Sequence, residues 1–379
     1  MYHSISLSAQ QMLALVRSTL WQNPVDEALF SKNEVDWQQI AQLALQQTVG
    51  ILTFEGAFSL KQSLSPPKEW IQKAFSFIER NRRTHMLIDK CVAESVTRLS
   101  DKGITALLLK GQAYARSYPR SEMRQCGDID LFVGEDSYHS AYTAIKDFGW
   151  KREDQFLPKA KHYGCWLQGI RIELHRMAGQ LPSRSADRKF QQWSRNQVST
   201  SKRRISIAGK GIPVPTPTFD IVFVFLHLYH HFRNGGIGLR HVCDWTMLMH
   251  AHSKEINPNE LEKLLLEFRL MRAWKIFAPI AVEHLGLPET ACPFYSKSYR
   301  KHSKMVLSMI MKEGNFGRAR HSGAKRQKGY FAWKIYSFRH QTLCQMKKLW
   351  IDPNTISRAY GSYVIKGMTR VIKDIMKMD

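Results

Sequence analysis

Two aspartates separated by one residue, Asp128 and Asp130, are the strongest chemical signal in the sequence. They lie in the segment GDIDLFV, whose apolar residues alternate and therefore predict a strand with its odd-numbered positions facing the core. Both carboxylates then project from the opposite face, where they repel each other unless a cation compensates them. Mg²⁺ (or Mn²⁺) prefers oxygen ligands and binds between carboxylates and phosphates, so the pair predicts metal-assisted phosphoryl or nucleotidyl transfer. The alternative interpretation is a solvated strand end.

The segment upstream of this pair could hold a phosphate. ITALLL predicts a buried strand, which leads into Lys110, Gly111 and Gln112 and then into a helix. Glycine lets a phosphate approach the backbone closely, and a helix start offers free N–H donors. Lys110 adds a positive charge. An ordinary strand-to-helix connection has the same pattern.

A third acid follows in the segment RIELH, where residues alternate again. Arg171, Glu173 and His175 are predicted to share one strand face, because strand side chains at i, i+2 and i+4 point the same way. Glu173 could then join Asp128 and Asp130, and His175 could orient a ligand or contact substrate. The alternatives are a surface glutamate and a hydrogen-bonded structural histidine.

Short strands and helices must position these residues. Hydrophobic patterning predicts a βαβα unit from residue 103, followed by two strands near Tyr163–Leu167 and Ile170–His175. Helical periodicity fills the chain before it, including a long helix from Lys68 to about Asp101, and returns after Phe219. The polar stretch 179–217 predicts a connector with one hairpin. The predicted regions are an N-terminal helical region (1–100), a catalytic core (101–212) and a C-terminal helical region (213–379).

The segment LLLKGQAYARSYPRSEMRQCGDIDLFV, followed by RIELHR, resembles the uncharacterised nucleotidyltransferase family of the DNA polymerase β-like superfamily. Members of that family show LKG, then R-x-x-GDIDLLV, then a hydrophobic-acidic-Leu-His strand. The resemblance is clearest over residues 103–176, and it continues more weakly through LHLYHHFRNGGIGLRHVCDWTMLM and GNFG (314–317). It implies an α+β fold, in which a polymerase β-like core, a small mixed sheet with flanking helices, is embedded between the two helical regions.

The resemblance also implies roles for single residues. Asp128 and Asp130 match the metal-binding pair, and Glu173 matches the third acid, which helps to hold the catalytic metal and to activate the attacking hydroxyl. Lys110 and Gly111 match the phosphate loop.

Two further positions concern the triphosphate. Arg124 matches the arginine before GDxD and could contact phosphate. The Gly-Ser pair that is usual in the superfamily is Gly111-Gln112 here, so Gln112 could donate a hydrogen bond to phosphate but the serine hydroxyl contact is missing.

Histidines cluster in the resembling helical segment. His227 and His231 are spaced i, i+4 and share a helix face, which suits a metal site, but the sequence lacks an HEXXH motif and packing is the favoured interpretation. Arg240 and His241 could reach the substrate. Asp244 is predicted to help this unit pack over the catalytic core.

The charge of the chain predicts an anionic partner. Lys and Arg number 56 against 32 Asp and Glu, which gives a formal net charge of +24. The chain is strongly basic after residue 297, with 19 Lys and Arg against 4 acids, interleaved with aromatic residues. This region could bind RNA or DNA, lie on an anionic membrane through an amphipathic helix at 363–378, or be a solvated face of packed helices.

Composition places the chain among ordinary globular proteins. With 379 residues, 44% of them hydrophobic, the chain is neither disordered, collagen-like nor a disulfide scaffold. Its six cysteines form no CxxC and predict reduced thiols. Its N-terminus lacks a signal-peptide pattern, and no apolar run approaches the roughly 18 residues of a membrane span. We predict a cytoplasmic protein, with peripheral membrane association as the alternative.

The sequence therefore predicts a Mg²⁺-dependent nucleotidyltransferase that uses an NTP and a hydroxyl acceptor in a two-metal reaction. The acceptor could be a small molecule, a protein, a glycan precursor or RNA, and a toxin or defence-type enzyme that modifies tRNA is the more specific version. One alternative is a catalytically degenerate fold that binds nucleotides or nucleic acid. Another is a DxD glycosyltransferase, which would need a nucleotide-binding α/β domain where residues 1–100 are predicted to be helical.

Overall fold

The computed structural model describes residues 5–31, 34–152 and 155–315, together with 342–343, 346–351, 353, 357 and 361. Side-chain caps begin two of the N-terminal helices. The Ser6 hydroxyl accepts a hydrogen bond from Ala9 N at 3.3 Å, and Asp36 accepts one from Gln39 N at 2.8 Å. The predicted long helix is confirmed. The five helices are α1 (Leu7–Trp21), α2 (Ala28–Ser31), α3 (Trp37–Gln46), α4 (Gly50–Phe58) and α5 (Lys68–Asp101).

A five-stranded mixed sheet follows, with the order β1-β2-β5-β4-β3. Its strands are β1 (Leu107–Leu109), β2 (Asp128–Phe132), β3 (Lys151–Arg152), β4 (His162–Leu167) and β5 (Ile170–His175). Strands β2 and β5 pair in parallel, and the other neighbours pair antiparallel. The connecting helices are α6 (Gly111–Ala115) and α7 (Gly134–Asp147). The predicted α+β fold, a small mixed sheet with flanking helices, is confirmed.

The register of β2 against β5 brings the candidate acids together. Asp130 pairs with Glu173, and Asp128 pairs with Arg171. Residues paired across a parallel ladder project from the same face of a sheet. The intervening apolar residues of both strands are buried in the core. The polar face of these two strands is therefore left for a ligand.

The stretch 179–217 contains more structure than the sequence predicted. The predicted hairpin is present as β6 (Arg204–Ile207) and β7 (Lys210–Pro213). A 17-residue helix, α8 (Arg184–Thr200), precedes it, so the prediction of a plain connector was wrong. The buried residues of this helix are Ala186, Phe190, Ser194 and Gln197. Because two of these four are polar, the helical period does not show in the hydrophobicity pattern.

Helices fill the described part of the C-terminal region. They are α9 (Pro217–Asn234), α10 (Leu239–Ala251), α11 (Pro258–Glu267), α12 (Met271–Pro279) and α13 (Arg300–Glu313). Helix α9 is the central one, and it packs against α10 through Phe225 and Trp245, whose ring centroids are 4.9 Å apart. In the described residues, no helix has the length and hydrophobicity that a membrane crossing requires. The predicted amphipathic helix 363–378 and most of the basic region lie outside the described residues.

A buried glutamine joins three parts of the chain. The Gln47 side chain accepts a hydrogen bond from Leu239 N at 2.9 Å and donates one to Ile310 O at 3.0 Å. Its backbone carbonyl accepts a third hydrogen bond, from Arg240 N at 3.2 Å. The turn between α3 and α4 is thereby held against the start of α10 and the end of α13.

Candidate active site

The polar face of β2 and β5 forms the floor of a pocket of about 700 Å³, which α9 and α10 cover from the other side. Its floor carries Lys110, Asp128, Asp130 and Glu173. Another cavity, of about 800 Å³, lies between α1 and α13, away from these carboxylates. The pocket at β2 and β5 is therefore the place where the predicted chemistry could occur.

Asp130 is buried between the side chains of Lys110 and His175. Its Oδ1 atom accepts a hydrogen bond from Lys110 Nζ at 2.9 Å and lies 2.8 Å from His175 Nε2. Burial alone would raise the pKa of Asp130, but Lys110 and His175 outweigh it and hold the pKa well below its usual value. Asp130 is therefore an anion at neutral pH.

Glu173 shares the same histidine. Its Oε2 atom lies 3.3 Å from His175 Nε2, and its Oε1 atom contacts the Arg171 guanidinium. Burial opposes the shift, yet the hydrogen bond with His175 keeps the pKa of Glu173 below its usual value. In turn, the two carboxylates raise the pKa of His175 against the effect of its burial. Asp130 Oδ1 and Glu173 Oε2 thus lie within 3.3 Å of one nitrogen atom.

Asp128 completes the group at the solvent-exposed side of the floor. Desolvation by the pocket walls and the charge of Asp130 raise its pKa, and Lys110 opposes them. The structure thus brings Asp128, Asp130 and Glu173 to one pocket, the geometry that their strand positions predicted. Their catalytic role stays a prediction.

The turn between β1 and α6 places Lys110 beside this group. Lys110 has φ 51° and ψ −147°, and Gly111 has φ 44°, so both adopt left-handed backbone angles. Such a conformation at a residue with a Cβ costs on the order of 1–3 kcal/mol, and it persists only where the surroundings enforce it. Lys110 Nζ gains its contact with Asp130 in this conformation. Lys110 and Gly111, the first two residues of the predicted phosphate loop, line the pocket.

The third residue of the predicted phosphate loop points elsewhere. The Gln112 side chain is 1% exposed and turns toward α5, where its Nε2 lies 3.1 Å from His85 Nδ1 and also contacts the Asp89 carboxylate. It is not among the residues that line the pocket. The Gln112 side chain therefore cannot make the predicted contact with a phosphate in this arrangement, because its position on α6 points it toward α5 and away from the pocket.

Arg124 lies in a buried ion pair. Its Nε and Nη2 atoms donate to Asp244 at 2.7 and 2.8 Å, and the Tyr118 hydroxyl donates to the same carboxylate at 2.8 Å. Burial would raise the pKa of Asp244, but Arg124 holds it below its usual value. A phosphate contact by Arg124, as the motif predicts, would have to compete with this pair. Asp244 does join α10 to the core, in agreement with its predicted packing role.

Arg240 and His241 both line the pocket, where the sequence predicted substrate contacts. Arg240 Nη1 donates to Gln125 O at 2.7 Å, while its buried Nε atom has no hydrogen-bond partner among the described residues. His241 is buried, and its Nδ1 atom lies 3.3 Å from Gly238 O. Arg240 is therefore the better placed of the two to donate to an anionic ligand.

Three histidines of α9 belong to the pocket, although packing was the interpretation favoured from the sequence. His227, His230 and His231 line the pocket, and the ring centroids of His227 and His231 are 4.4 Å apart. Burial and neighbouring positive charges lower the pKa of His231 to about 4 and those of His230 and His241 to about 3. These imidazoles are consequently neutral at pH 7. The sequence signal for this histidine cluster was the i, i+4 spacing of His227 and His231, inside the segment that continues the family resemblance.

His162 is a pocket residue that the sequence analysis missed. It is the cross-strand partner of His175 in the β4–β5 hairpin, and its Nε2 lies 3.8 Å from Glu173 Oε2. The hairpin register could have identified His162, since a turn at Gly169 sets position 162 opposite position 175.

The match to a protein family agrees with the motifs. A crystal structure of an antigenic nucleotidyltransferase-like protein from Paracoccidioides brasiliensis is similar at 13% identity and a TM-score of 0.35, over 56% of this chain and 96% of that chain. No curated protein matches the sequence. The family described as "Uncharacterised nucleotidyltransferase" matches residues 33–286. The chain therefore belongs to this uncharacterised nucleotidyltransferase family.

Proposed function

We propose that the protein transfers a nucleoside monophosphate from an NTP to a hydroxyl acceptor in a reaction that depends on a divalent cation. The observation that carries the proposal is the placement of three carboxylates beside Lys110, on the floor of a pocket of about 700 Å³. Acidic groups crowded on one face raise the free energy of a site unless a cationic ligand compensates them. Family membership supports the same class of reaction.

The side chains present fit a hard divalent cation. Asp128 is open to the pocket, and Asp130 and Glu173 carry lowered pKa values, so that anionic oxygens are available at neutral pH. These three residues would hold Mg²⁺ (or Mn²⁺), which takes carboxylate ligands together with substrate phosphates. When bound, the cation would offset the charge of the triphosphate and of the departing pyrophosphate.

The basic side chains of the pocket are suited to the triphosphate. Lys110 extends over the floor beside Asp130, and Arg240 adds a second cation in the wall that α10 forms. Gly111 has no side chain to keep a phosphate from the backbone at the turn. Together these groups would fix the α-phosphate in line with the acceptor, which lowers the entropic part of the barrier.

In this proposal Glu173 takes the proton of the acceptor hydroxyl. Because its pKa is lowered, the carboxylate is deprotonated at neutral pH and can accept the proton of the acceptor hydroxyl. The acceptor oxygen forms a bond to the α-phosphorus, the bond to the bridging oxygen breaks, and pyrophosphate leaves with its electron pair. The net charge of +24 supports an anionic acceptor, for which we propose RNA, including the tRNA of the toxin or defence type. A glycan precursor is the other acceptor that the test must cover.

The test incubates the protein with each α-labelled NTP, Mg²⁺ or Mn²⁺, and total cellular RNA, and a parallel reaction offers a small-molecule extract that contains glycan precursors. We expect label on RNA with the unaltered protein and none with the Asp128→Ala/Asp130→Ala variant. Asp136→Ala, an exposed acid on α7, is the matched control and should transfer normally. Label on a glycan precursor would correct the acceptor.

A second candidate function rests on Gln112, which replaces the serine of the superfamily and turns away from the pocket. In that case the fold would bind nucleotides or nucleic acid without catalysis. Metal-dependent NTP binding without transfer to any acceptor would overturn the transferase proposal in favour of this one.

A further inference from the structure

Three potential metal ligands on the neighbouring strands β4 and β5 converge at one side of the pocket. His162 on β4 and Glu173 and His175 on β5 offer ligand atoms that all lie within 4.8 Å of one another. Glu173 Oε2 is 3.3 Å from His175 Nε2 and 3.8 Å from His162 Nε2. An ion held about 2 Å from each of its ligands keeps the ligand atoms within about 4 Å of one another, so small side-chain rotations complete the set.

The donor atoms do not match those of the aspartate pair. Asp128 and Asp130 offer oxygen alone, which suits Mg²⁺. Two imidazoles and one carboxylate suit first-row transition metals instead, and the same set holds catalytic zinc with a position left for water or substrate. We propose that His162, Glu173 and His175 form a second metal site, which takes a transition metal of the Zn²⁺ type in preference to Mg²⁺.

The surrounding structure holds these ligands in place. His162 and His175 are direct partners across the antiparallel ladder, and their ring centroids are 5.2 Å apart. Arg171 contacts Glu173 Oε1, so that the other oxygen of this carboxylate is the one directed at the imidazoles. Ligands on adjacent strands are positioned more rigidly than ligands on loops.

The site is also accessible. The side chain of His162 is 40% exposed, whereas that of His175 is 9% exposed. All three ligands line the pocket, so that a position on the metal would face the substrate. Metal binding would exchange the hydrogen bond between His175 and Asp130 for coordination, and Asp130 would keep its contact with Lys110.

The test uses the full chain and the metal alone, and so it does not depend on nucleotidyl transfer. Titration calorimetry with Zn²⁺ and Mg²⁺ gives the selectivity, and the visible absorption of bound Co²⁺ reports nitrogen ligation. We expect Zn²⁺ to bind more tightly than Mg²⁺, and we expect His162→Ala and His162→Gln each to weaken Zn²⁺ binding by more than about tenfold without changing Mg²⁺ affinity.

Two controls separate this site from its neighbours. Asp128→Ala should keep the Co²⁺ spectrum, which distinguishes this site from the aspartate pair, and His231→Ala should keep it as well. Loss of Zn²⁺ binding in His231→Ala with full binding in His162→Ala would overturn the proposal and move the site to α9. Equal or tighter binding of Mg²⁺ would also overturn it. Zn²⁺ binding without nucleotidyl transfer would leave this site standing and refute the transferase alone.

Discussion

The Asp244→Ala substitution should destabilise the protein by about 3–5 kcal/mol, because it leaves the Arg124 guanidinium buried without its carboxylate. The two side chains are 5% and 4% exposed, so little water reaches the pair even though it borders the pocket. The remaining partners of Arg124 are Cys126 Sγ at 3.0 Å and Gln125 O at 3.4 Å. The first is a neutral thiol and the second is a carbonyl, so neither supplies a compensating negative charge. The expected loss of folding free energy is therefore the cost of leaving a buried charge unpaired, which is larger than the cost of losing ordinary hydrogen bonds.

Two companion variants separate charge from packing. Arg124→Met/Asp244→Leu leaves no buried charge, so it should cost less than Asp244→Ala alone despite altering two residues. Tyr118→Phe removes one neutral donor from the same carboxylate, at 2.8 Å, and should cost about 1 kcal/mol.

Urea unfolding at pH 7, followed by circular dichroism and tryptophan fluorescence, gives these free energies where the two transitions coincide. A loss below about 1 kcal/mol for Asp244→Ala would refute the reasoning, since a buried guanidinium cannot lose its counterion so cheaply. That result would mean that Arg124 is free to pair with another anion, such as the phosphate that its motif predicts.

Three other perturbations test the pocket and its supports. Stability should rise as the pH rises from about 4 to 6.5, because the pocket imidazoles have lowered pKa values and the unfolded chain binds more protons in this window. Each group contributes up to about 1.4 kcal/mol per pH unit, and a flat series of melting temperatures would contradict the assignment. The groups concerned are His227, His230, His231 and His241. Gln112→Ser should leave NTP affinity unchanged and cost about 1–2 kcal/mol, since that side chain bonds to α5, and tighter NTP binding would show that it faces the pocket. Gly56→Ala should cost about 1–3 kcal/mol in thermal or urea unfolding, because its Cβ would meet Leu15 O at 2.5 Å; Gly127→Ala, with no described atom within 4 Å of its Cβ, is the control and should melt normally.

The acidic floor of the pocket was predictable because strands alternate. Asp128 and Asp130 occupy alternate positions of β2, and Glu173 occupies the same face of β5, so one rule applied twice places all three. The rule works here because both strands have a buried apolar face that fixes their orientation. The long helix α5 was predictable for a similar reason, since Pro67 marks its start and the helical pattern is sustained to Asp101.

The side-chain partners were not predictable, because they come from distant positions in the chain. Gln112 turns inward to His85, and Arg124 pairs with Asp244, 120 positions away. No local pattern records such a pairing. The same limit applies to His231, whose i, i+4 spacing shows a shared helix face but not whether a cavity or the core lies beneath it. The domain boundaries at residues 100 and 212 stay a prediction.

The hydrogen bonds of Gln47 have a consequence for how the chain can be divided. Gln47 precedes the strands of the five-stranded sheet, yet its side chain bonds to Leu239 and Ile310, which follow them. If a protease cut the chain near residue 101, the two fragments should therefore stay associated through these contacts, as the fragments of a split protein do. Either piece made alone would expose the unsatisfied amide or carbonyl groups of this junction. Because Arg240 N also bonds to Gln47 O, the separated C-terminal piece would lose one contact that anchors the pocket wall formed by α10.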